Sequence, residues 1–314
     1  MSLPIPPLLH IGYPKGASTW LQQHFFNAAQ GFGQVSNALV LHRDLVLPTL
    51  SGGELAAFGA QLQEAFSEHR QAGRTPVLSS EALVGDLIRG GRDGESIADK
   101  LGTVLDCEAR VLIVVREQQD HMRSLYKTLV MFGADQSLKR LLRNARADKA
   151  GQFSLEFLCF DRVASLYERI FGTGAVCVLP FELFRQEPRY FLSLVRRHSG
   201  LPELSDHEFA ALRLSDVANP GQSLALLYGQ RVLNRVLGTS QNNYEGRFGS
   251  NHFDRVMSRI ARHKRLDFML PWDDWLEQRF RRTVNSVFTG RFERSNRALQ
   301  RFCPTDLGAL GYAL

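Results

Sequence analysis

Cysteine is scarce in this chain of 314 residues, and Cys107, Cys159, Cys177 and Cys303 stand singly. They have neither the paired spacing of a zinc site nor the density of a disulfide scaffold, so reduced cysteines and no structural metal are expected. No run approaches the roughly 18 consecutive apolar residues that a membrane-spanning helix needs. Residues 1–9 place no basic segment ahead of an apolar one. A soluble cytoplasmic protein with no membrane span is therefore expected. Lysine is confined to positions 15, 100, 127, 139, 149 and 264, so arginine carries most of the formal net charge of +6. That charge is spread without a basic run or an RNA-binding aromatic motif, which argues against nucleic acid as the partner and leaves small anionic ligands in play. Internal repeats and linker-like stretches are also missing, and residues 1–314 are expected to form a single domain.

What is present is an alternation of strands and helices. Residues 8–12 (LLHIG) predict a short buried strand, followed by a polar turn and a helical run over 19–26. Residues 53–70 carry helical periodicity through Leu55, Phe58, Leu62 and Phe66, and 75–79 predict a second strand. The continuous run Val111-Leu112-Ile113-Val114-Val115, after a helix at 96–105, has the pattern of a parallel strand covered on both faces. A fourth strand at 175–179 follows a helix at 155–171. The remainder is mostly helical, with helices expected at 190–198, 223–237, 253–263 and 272–288, interrupted by polar segments at 205–221 and 238–252 that suit binding loops. The fold class predicted is α/β, a mostly parallel central sheet flanked by helices with a helical C-terminal part, and ligands belong outside the carboxyl ends of its strands.

Two segments at such strand ends carry chemistry. Gly12-Tyr13-Pro14-Lys15-Gly16-Ala17-Ser18-Thr19-Trp20 joins the first strand to its helix. Backbone N–H groups there suit a phosphate, the hydroxyls of Ser18 and Thr19 add donors, and Lys15 adds charge. A nucleotide-kinase loop would place lysine directly before the hydroxyl residue, whereas Lys15 precedes Ser18 by three positions. Farther on, Val114-Val115-Arg116 ends a strand and Ser124 lies on the helix that follows. An arginine fork with a nearby serine can grip a phosphate. Each segment alone also fits a capped helix beside an unrelated basic residue.

The first segment resembles the 5'-phosphosulfate loop of the sulfotransferases that use 3'-phosphoadenosine-5'-phosphosulfate (PAPS), P-K-x-G-T-T-W-L, with Ala17 where that family usually has glycine. The second resembles the same family's 3'-phosphate motif, R-x-P-x-D-x-x-x-S-x-Y, with Gln118 in place of proline. The stretch Val178-Leu179-Pro180-Phe181-Glu182-Leu183 resembles the strand and Y-E-D-L segment, and Ser295-Asn296-Arg297-Ala298-Leu299 together with 307–312 is similar to the tails of bacterial members. The likeness runs nearly end to end and implies a P-loop-like fold.

It implies PAPS as co-substrate and no metal. Lys15 would sit at the sulfate-bearing end, with Gly16 and Ala17 shaping the loop. Ser18 and Thr19 would hold the 5'-phosphate, Trp20 the adenine side, and Arg116 with Ser124 the 3'-phosphate. Arg247, in a segment placed like the family's R-K-G-x-x-G, is a further 3'-phosphate candidate. Glu81, in Ser79-Ser80-Glu81 after the second strand, occupies the family's base position. The alternative for Glu81 is that it caps the helix beginning at Ala82 or pairs with an arginine. The function expected is transfer of a sulfuryl group to a hydroxyl or amine of a small molecule or glycan. The alternatives are a P-loop nucleotide kinase and a non-catalytic nucleotide-binding protein of the same fold. No sugar, lipid, steroid or peptide signature identifies the acceptor, and Tyr126, Phe132, Phe248 and Trp272 are the aromatics available to line its pocket.

Overall fold

The structure, a computed structural model, describes residues 5–36, 50, 52–87, 90–106, 108–131, 133–148, 152–214, 224–236 and 270–314. Arg247, Phe132, Phe248 and the helix expected at 253–263 lie outside the described residues, and the side chain of Trp272 is likewise not described. The chain divides into two compact units. The first comprises Met1–Glu117, Glu156–Val217 and Phe292–Leu314, and the second Gln118–Leu155 and Ala218–Arg291.

The first unit is built on five strands, β1 (Leu8–Gly12), β2 (Phe32–Ser36), β3 (Thr75–Ser80), β4 (Arg110–Val115) and β5 (Val176–Pro180). They pair in the order β2-β3-β1-β4-β5, and every pairing is parallel. The apolar runs explain why. Leu112 and Val114 pack on one face in a cluster with Trp20, Phe25, Phe184 and Phe191. Val111, Ile113 and Val115, which alternate with them, are equally buried, so both faces of β4 are covered, as a central parallel strand requires. Asn296, in the helix Glu293–Leu299, is fully buried and donates to the Ala313 carbonyl at 2.8 Å.

Strand β2 was not expected from the sequence. It is an edge strand whose residues FGQVS break the apolar pattern, and its register against β3 shifts between Gln34 and Ser36. Its Gly33 has a packing reason, because a Cβ there would lie 2.3 Å from the His69 ring. The expected helix at 155–171 is divided into a 3-10 turn at Leu155–Leu158 and a helix at Phe160–Phe171.

The second unit is helical: the helix Gln118–Met131 that opens it packs with Leu224–Val236 and Leu270–Phe288, and the last of these also packs with Leu138–Arg146. Within it Asn234 donates to the carbonyls of Val130, at the end of the helix Gln118–Met131, and of Ala134, just beyond it, at 2.8 and 3.1 Å. Arg123 pairs with Glu277 at 2.7 Å, and the buried Tyr126 ring lies against Phe280.

Beneath the first loop lies a buried polar chain. His10 on β1 faces its register partner Ser79 on β3, with Nδ1 and Oγ 2.7 Å apart, and Gln22 Nε2 donates to the same hydroxyl at 2.9 Å. Burial pushes the His10 pKa down to about 3. A histidine with a depressed folded-state pKa contributes stability that is complete above its unfolded value, near 6.5, and is lost as the pH falls toward the folded value. Acidification from pH 7 to pH 5 should therefore cost about 2 kcal/mol at this residue. We expect His10→Gln to lose less stability than the parent over that interval in urea titrations, and an identical loss in both proteins would show that His10 is not responsible.

Candidate functional site

The loop between β1 and the first helix (Ser18–Trp20, continued by a wider π-type turn at Leu21–Phe25) has an unusual backbone. Lys15 has φ 70° and Ala17 φ 65°, both left-handed, on either side of Gly16, which does not share that conformation. Alternation between left- and right-handed residues turns successive N–H groups toward one concavity, an anion-binding nest. A left-handed conformation costs a residue bearing a Cβ roughly 1–2 kcal/mol, so two of them in one turn mark a strained segment held by its surroundings. Those surroundings are visible. Tyr13 N–H donates to Val114 O at 3.2 Å, Gly16 N–H to Tyr13 O at 3.0 Å and Leu21 N–H to Ala17 O at 3.0 Å. Gly16 is pressed against the neighbouring strand, since a Cβ there would meet Tyr13 O at 3.1 Å and Val114 O at 3.2 Å. Ala17 thus takes the conformation for which the family's glycine is suited, at an energetic cost that glycine would not incur.

Lys15 and Thr19 are exposed, whereas Ser18 and Trp20 are buried. The Ser18 side chain is tucked under the loop, where a Cβ on Gly12 would come within 2.0 Å of its Oγ. The indole of Trp20 is 5% exposed, its Nε1–H donates to the Arg213 carbonyl at 3.1 Å, and its ring packs 4.9 Å from Phe184. That placement makes Trp20 part of the wall behind the loop.

Glu81 stands at the carboxyl end of β3, one residue past Ser80, which is the register partner of Ile11 on β1. It opens a 3-10 turn, Glu81–Val84, whose cap is the Ser80 hydroxyl accepting from Ala82 N–H at 3.1 Å. Glu81 therefore does not serve as the cap. Tyr167 fixes this turn from below by donating to Leu83 O at 2.8 Å. The Glu81 carboxyl faces the loop. Burial pushes its pKa above the ordinary carboxylate value, while the Lys15 ammonium, the Ser18 hydroxyl and the Lys15 backbone N–H pull it down. Ser18 Oγ exerts this influence without reaching the geometry of a full hydrogen bond. The charged neighbour of Glu81 is thus a lysine of the loop.

On the other side of β1, Gly12 is the register partner of Val114, so Arg116 leaves β4 beside the loop's strand. Val115 is in turn opposite Pro180, which brings Phe181 and Glu182 alongside Arg116 and Glu117. The guanidinium lies over the Phe181 ring, 5.3 Å from its centroid. Glu182 accepts from Glu117 N–H at 3.1 Å and from the Tyr312 hydroxyl at 3.1 Å. Burial raises the Glu182 pKa, offset in part by these donors and by Arg116. Glu182 and Tyr312 had no place among the site residues expected from the sequence. The signals available were the resemblance of 178–183 and 307–312 to family segments, which gave neither residue a role, and the position of Glu182 two residues beyond β5, next to the end of β4. Ser124 is half-buried on the helix Gln118–Met131 in the second unit, where its carbonyl accepts from Thr128 Oγ1 at 3.2 Å.

Lys15, Ser18 and Glu81 are thus brought together at the ends of β1 and β3, and Arg116 at the end of the adjacent β4. A cation beside a nest suits a phosphate or phosphosulfate ester, and a carboxyl with a raised pKa suits proton acceptance. Among the described residues no group of three or more His, Cys, Asp or Glu side chains is arranged to hold a metal ion, and no helix is long and apolar enough to cross a membrane.

No protein-family profile matches the chain, and no curated protein matches it. Solved structures do. A sulfotransferase from Alicyclobacillus acidocaldarius is similar at 14% identity and TM-score 0.45 over 73% of this chain and 93% of its own. The sulfotransferase domain of the Synechococcus PCC 7002 olefin synthase is similar at 16% identity and TM-score 0.40, over 70% of this chain and 82% of its own. The mouse sulfotransferase SULT7A1, complexed with PAP, is similar at 10% identity and TM-score 0.38, over 88% of this chain and 90% of its own. The chemistry of the site has to be argued from this chain's own residues.

Proposed function

We propose that residues 1–314 form a sulfotransferase domain that moves a sulfuryl group from PAPS to a hydroxyl or amine, releasing 3'-phosphoadenosine 5'-phosphate (PAP). The observation that carries this reading is the joint placement of Lys15, the left-handed loop and the Glu81 carboxyl at the ends of two paired strands, with Arg116 at the end of the next. PAPS supplies an activated sulfuryl group whose bond to the 5'-phosphate breaks as the acceptor's bond to sulfur forms. The electron pair of the broken bond stays on the phosphate oxygen, and this chain must neutralise the charge that grows there. Lys15, exposed beside the nest, supplies that charge, and the loop N–H groups with Thr19 orient the phosphate. Glu81, whose carboxylate burial makes the better proton acceptor, takes the proton that the acceptor loses. Arg116 binds the 3'-phosphate, for which the family motif also names Ser124, so that binding energy far from the reacting atoms holds them in line. Arg247 is the further candidate at the 3' end, and Trp20 supports the loop from the adenine side. No step assigned to these side chains calls for a metal.

The test is a comparison of PAP with adenosine 5'-phosphosulfate (APS), which lacks the 3'-phosphate. Arg116→Ala should weaken PAP binding by about 2–4 kcal/mol, because a charged hydrogen-bonded phosphate loses its fork, and should change APS binding far less. Equal weakening of both ligands in calorimetry, or tighter binding of ATP than of PAP by the parent protein, would overturn the assignment.

A further inference from the structure

The polar cluster behind Arg116 has no part in the reaction just described, yet it is built from residues far apart in the chain. Glu182 and Tyr312 are separated by 130 positions and meet through a hydrogen bond of 3.1 Å. The other carboxylate oxygen of Glu182 accepts the backbone N–H of Glu117 at 3.1 Å. Both oxygens are therefore engaged, one by the residue that directly follows Arg116 and one by a tyrosine that is 3% exposed. Tyr312 is itself fixed. Its N–H donates to Leu307 O at 3.1 Å, Leu307 N–H donates to Gln300 Oε1 at 2.9 Å, and the next carbonyl, Ala313 O, accepts from the buried Asn296. A carboxylate that is mostly withdrawn from water and satisfied by two donors is costly to assemble unless it holds something in place. What it holds is the exit of β4. Arg116 is gripped from three sides: by β4 before it, by the Glu117 N–H bond after it, and by the Phe181 ring under its guanidinium. The Glu182 charge also acts on Arg116.

We propose that Tyr312 and Glu182 are positioning residues for Arg116: they fix the turn that leaves β4 so that the guanidinium is presented to the nucleotide's 3'-phosphate. The proposal rests on the reading of Arg116 as the 3'-phosphate ligand. Residues 307–313 then act at the nucleotide site without touching the nucleotide, and they set the preference for a 3'-phosphorylated nucleotide over its 3'-hydroxyl counterpart.

Tyr312→Phe keeps the ring and its packing and removes only the donor to Glu182. The full-length protein and this variant are titrated with PAP and with APS, each in the Arg116 and the Arg116→Ala background. The loss of one neutral-to-charged hydrogen bond that positions a ligand is expected to weaken PAP binding about three- to tenfold, leave APS within about twofold, and have no further effect once Arg116 is gone. Loss of both ligands in equal measure, or an effect on PAP that persists undiminished in the Arg116→Ala background, would mean that Tyr312 serves stability alone and would overturn the proposal. An Arg116→Ala protein that still prefers PAP as the parent does would instead defeat the reading of Arg116, and the positioning role with it. Should Tyr312→Phe not fold, Glu182→Gln, which keeps the shape while removing the charge beside Arg116, is read in the same cycle. An unchanged PAP-to-APS ratio in that variant would overturn the proposal equally.

Discussion

Lys15→Ala lowers the turnover of PAPS with a competent acceptor on the order of a hundred- to a thousandfold, the usual consequence of removing one group aimed at charge that develops in the transition state. The affinity for PAP is expected to stay within about fivefold of the parent, because an exposed ammonium contributes modestly to a ground-state complex that the loop and Arg116 also hold. The loop itself should survive. Lysine and alanine share a Cβ, so the left-handed conformation at φ 70° costs the variant about what it costs the parent, and any fall in melting temperature should come from the uncompensated Glu81 carboxylate and vanish in acid. A second readout is specific to the neighbour. The Lys15 charge is the largest influence holding the Glu81 pKa down against burial, so the acid limb of any residual activity should move to higher pH in the variant. Near-normal turnover would remove Lys15 from the mechanism, and an unmoved acid limb would separate it from Glu81.

How far the sequence reveals this arrangement depends on how local the cause is. The runs at 8–12 and 111–115 are legible because a strand covered on both faces is apolar at nearly every position, His10 being the exception in the first, and both appear as β1 and β4. Strand β2 is not legible, because its glycine answers to His69, a residue of another element. The loop at 12–20 is legible as a strand-to-helix anion site, yet the left-handed backbone at Ala17 is visible only in the structure, since alanine does not announce it as glycine would. Arg116 is legible as a strand-end arginine. Its support by Glu182 and Tyr312 is not, because it depends on β4 and β5 pairing in a register that sets Val115 opposite Pro180 and on a fold-back that spans most of the second half of the chain. Residues that touch a ligand tend to sit in short motifs, whereas those that hold them in place are gathered by topology.

Glu81→Gln is expected to lose on the order of a hundredfold or more in turnover while binding PAP as the parent does, and its effect on stability makes the result diagnostic. Burial is the largest influence on this carboxyl and raises its pKa in spite of Lys15 and Ser18. An acid whose folded-state pKa is raised above the unfolded value contributes stability that is present below the unfolded pKa and is lost as the pH rises through the folded one. Above the unfolded pKa this carboxyl therefore weighs against the fold, and glutamine, which has the shape of the protonated acid and no charge, should leave the melting temperature unchanged or raise it. A residue retained for packing or for its link to Lys15 predicts the reverse, a variant that melts earlier and turns over normally per folded molecule. The pH profile supplies a third, independent measure. Parent activity should fall on the acid side through one ionisation displaced upward from the ordinary carboxylate range, and the residual activity of the variant should lack that step. Melting temperature, PAP affinity and turnover measured on one preparation across that pH range distinguish the two cases, and retained turnover would exclude Glu81 as the base.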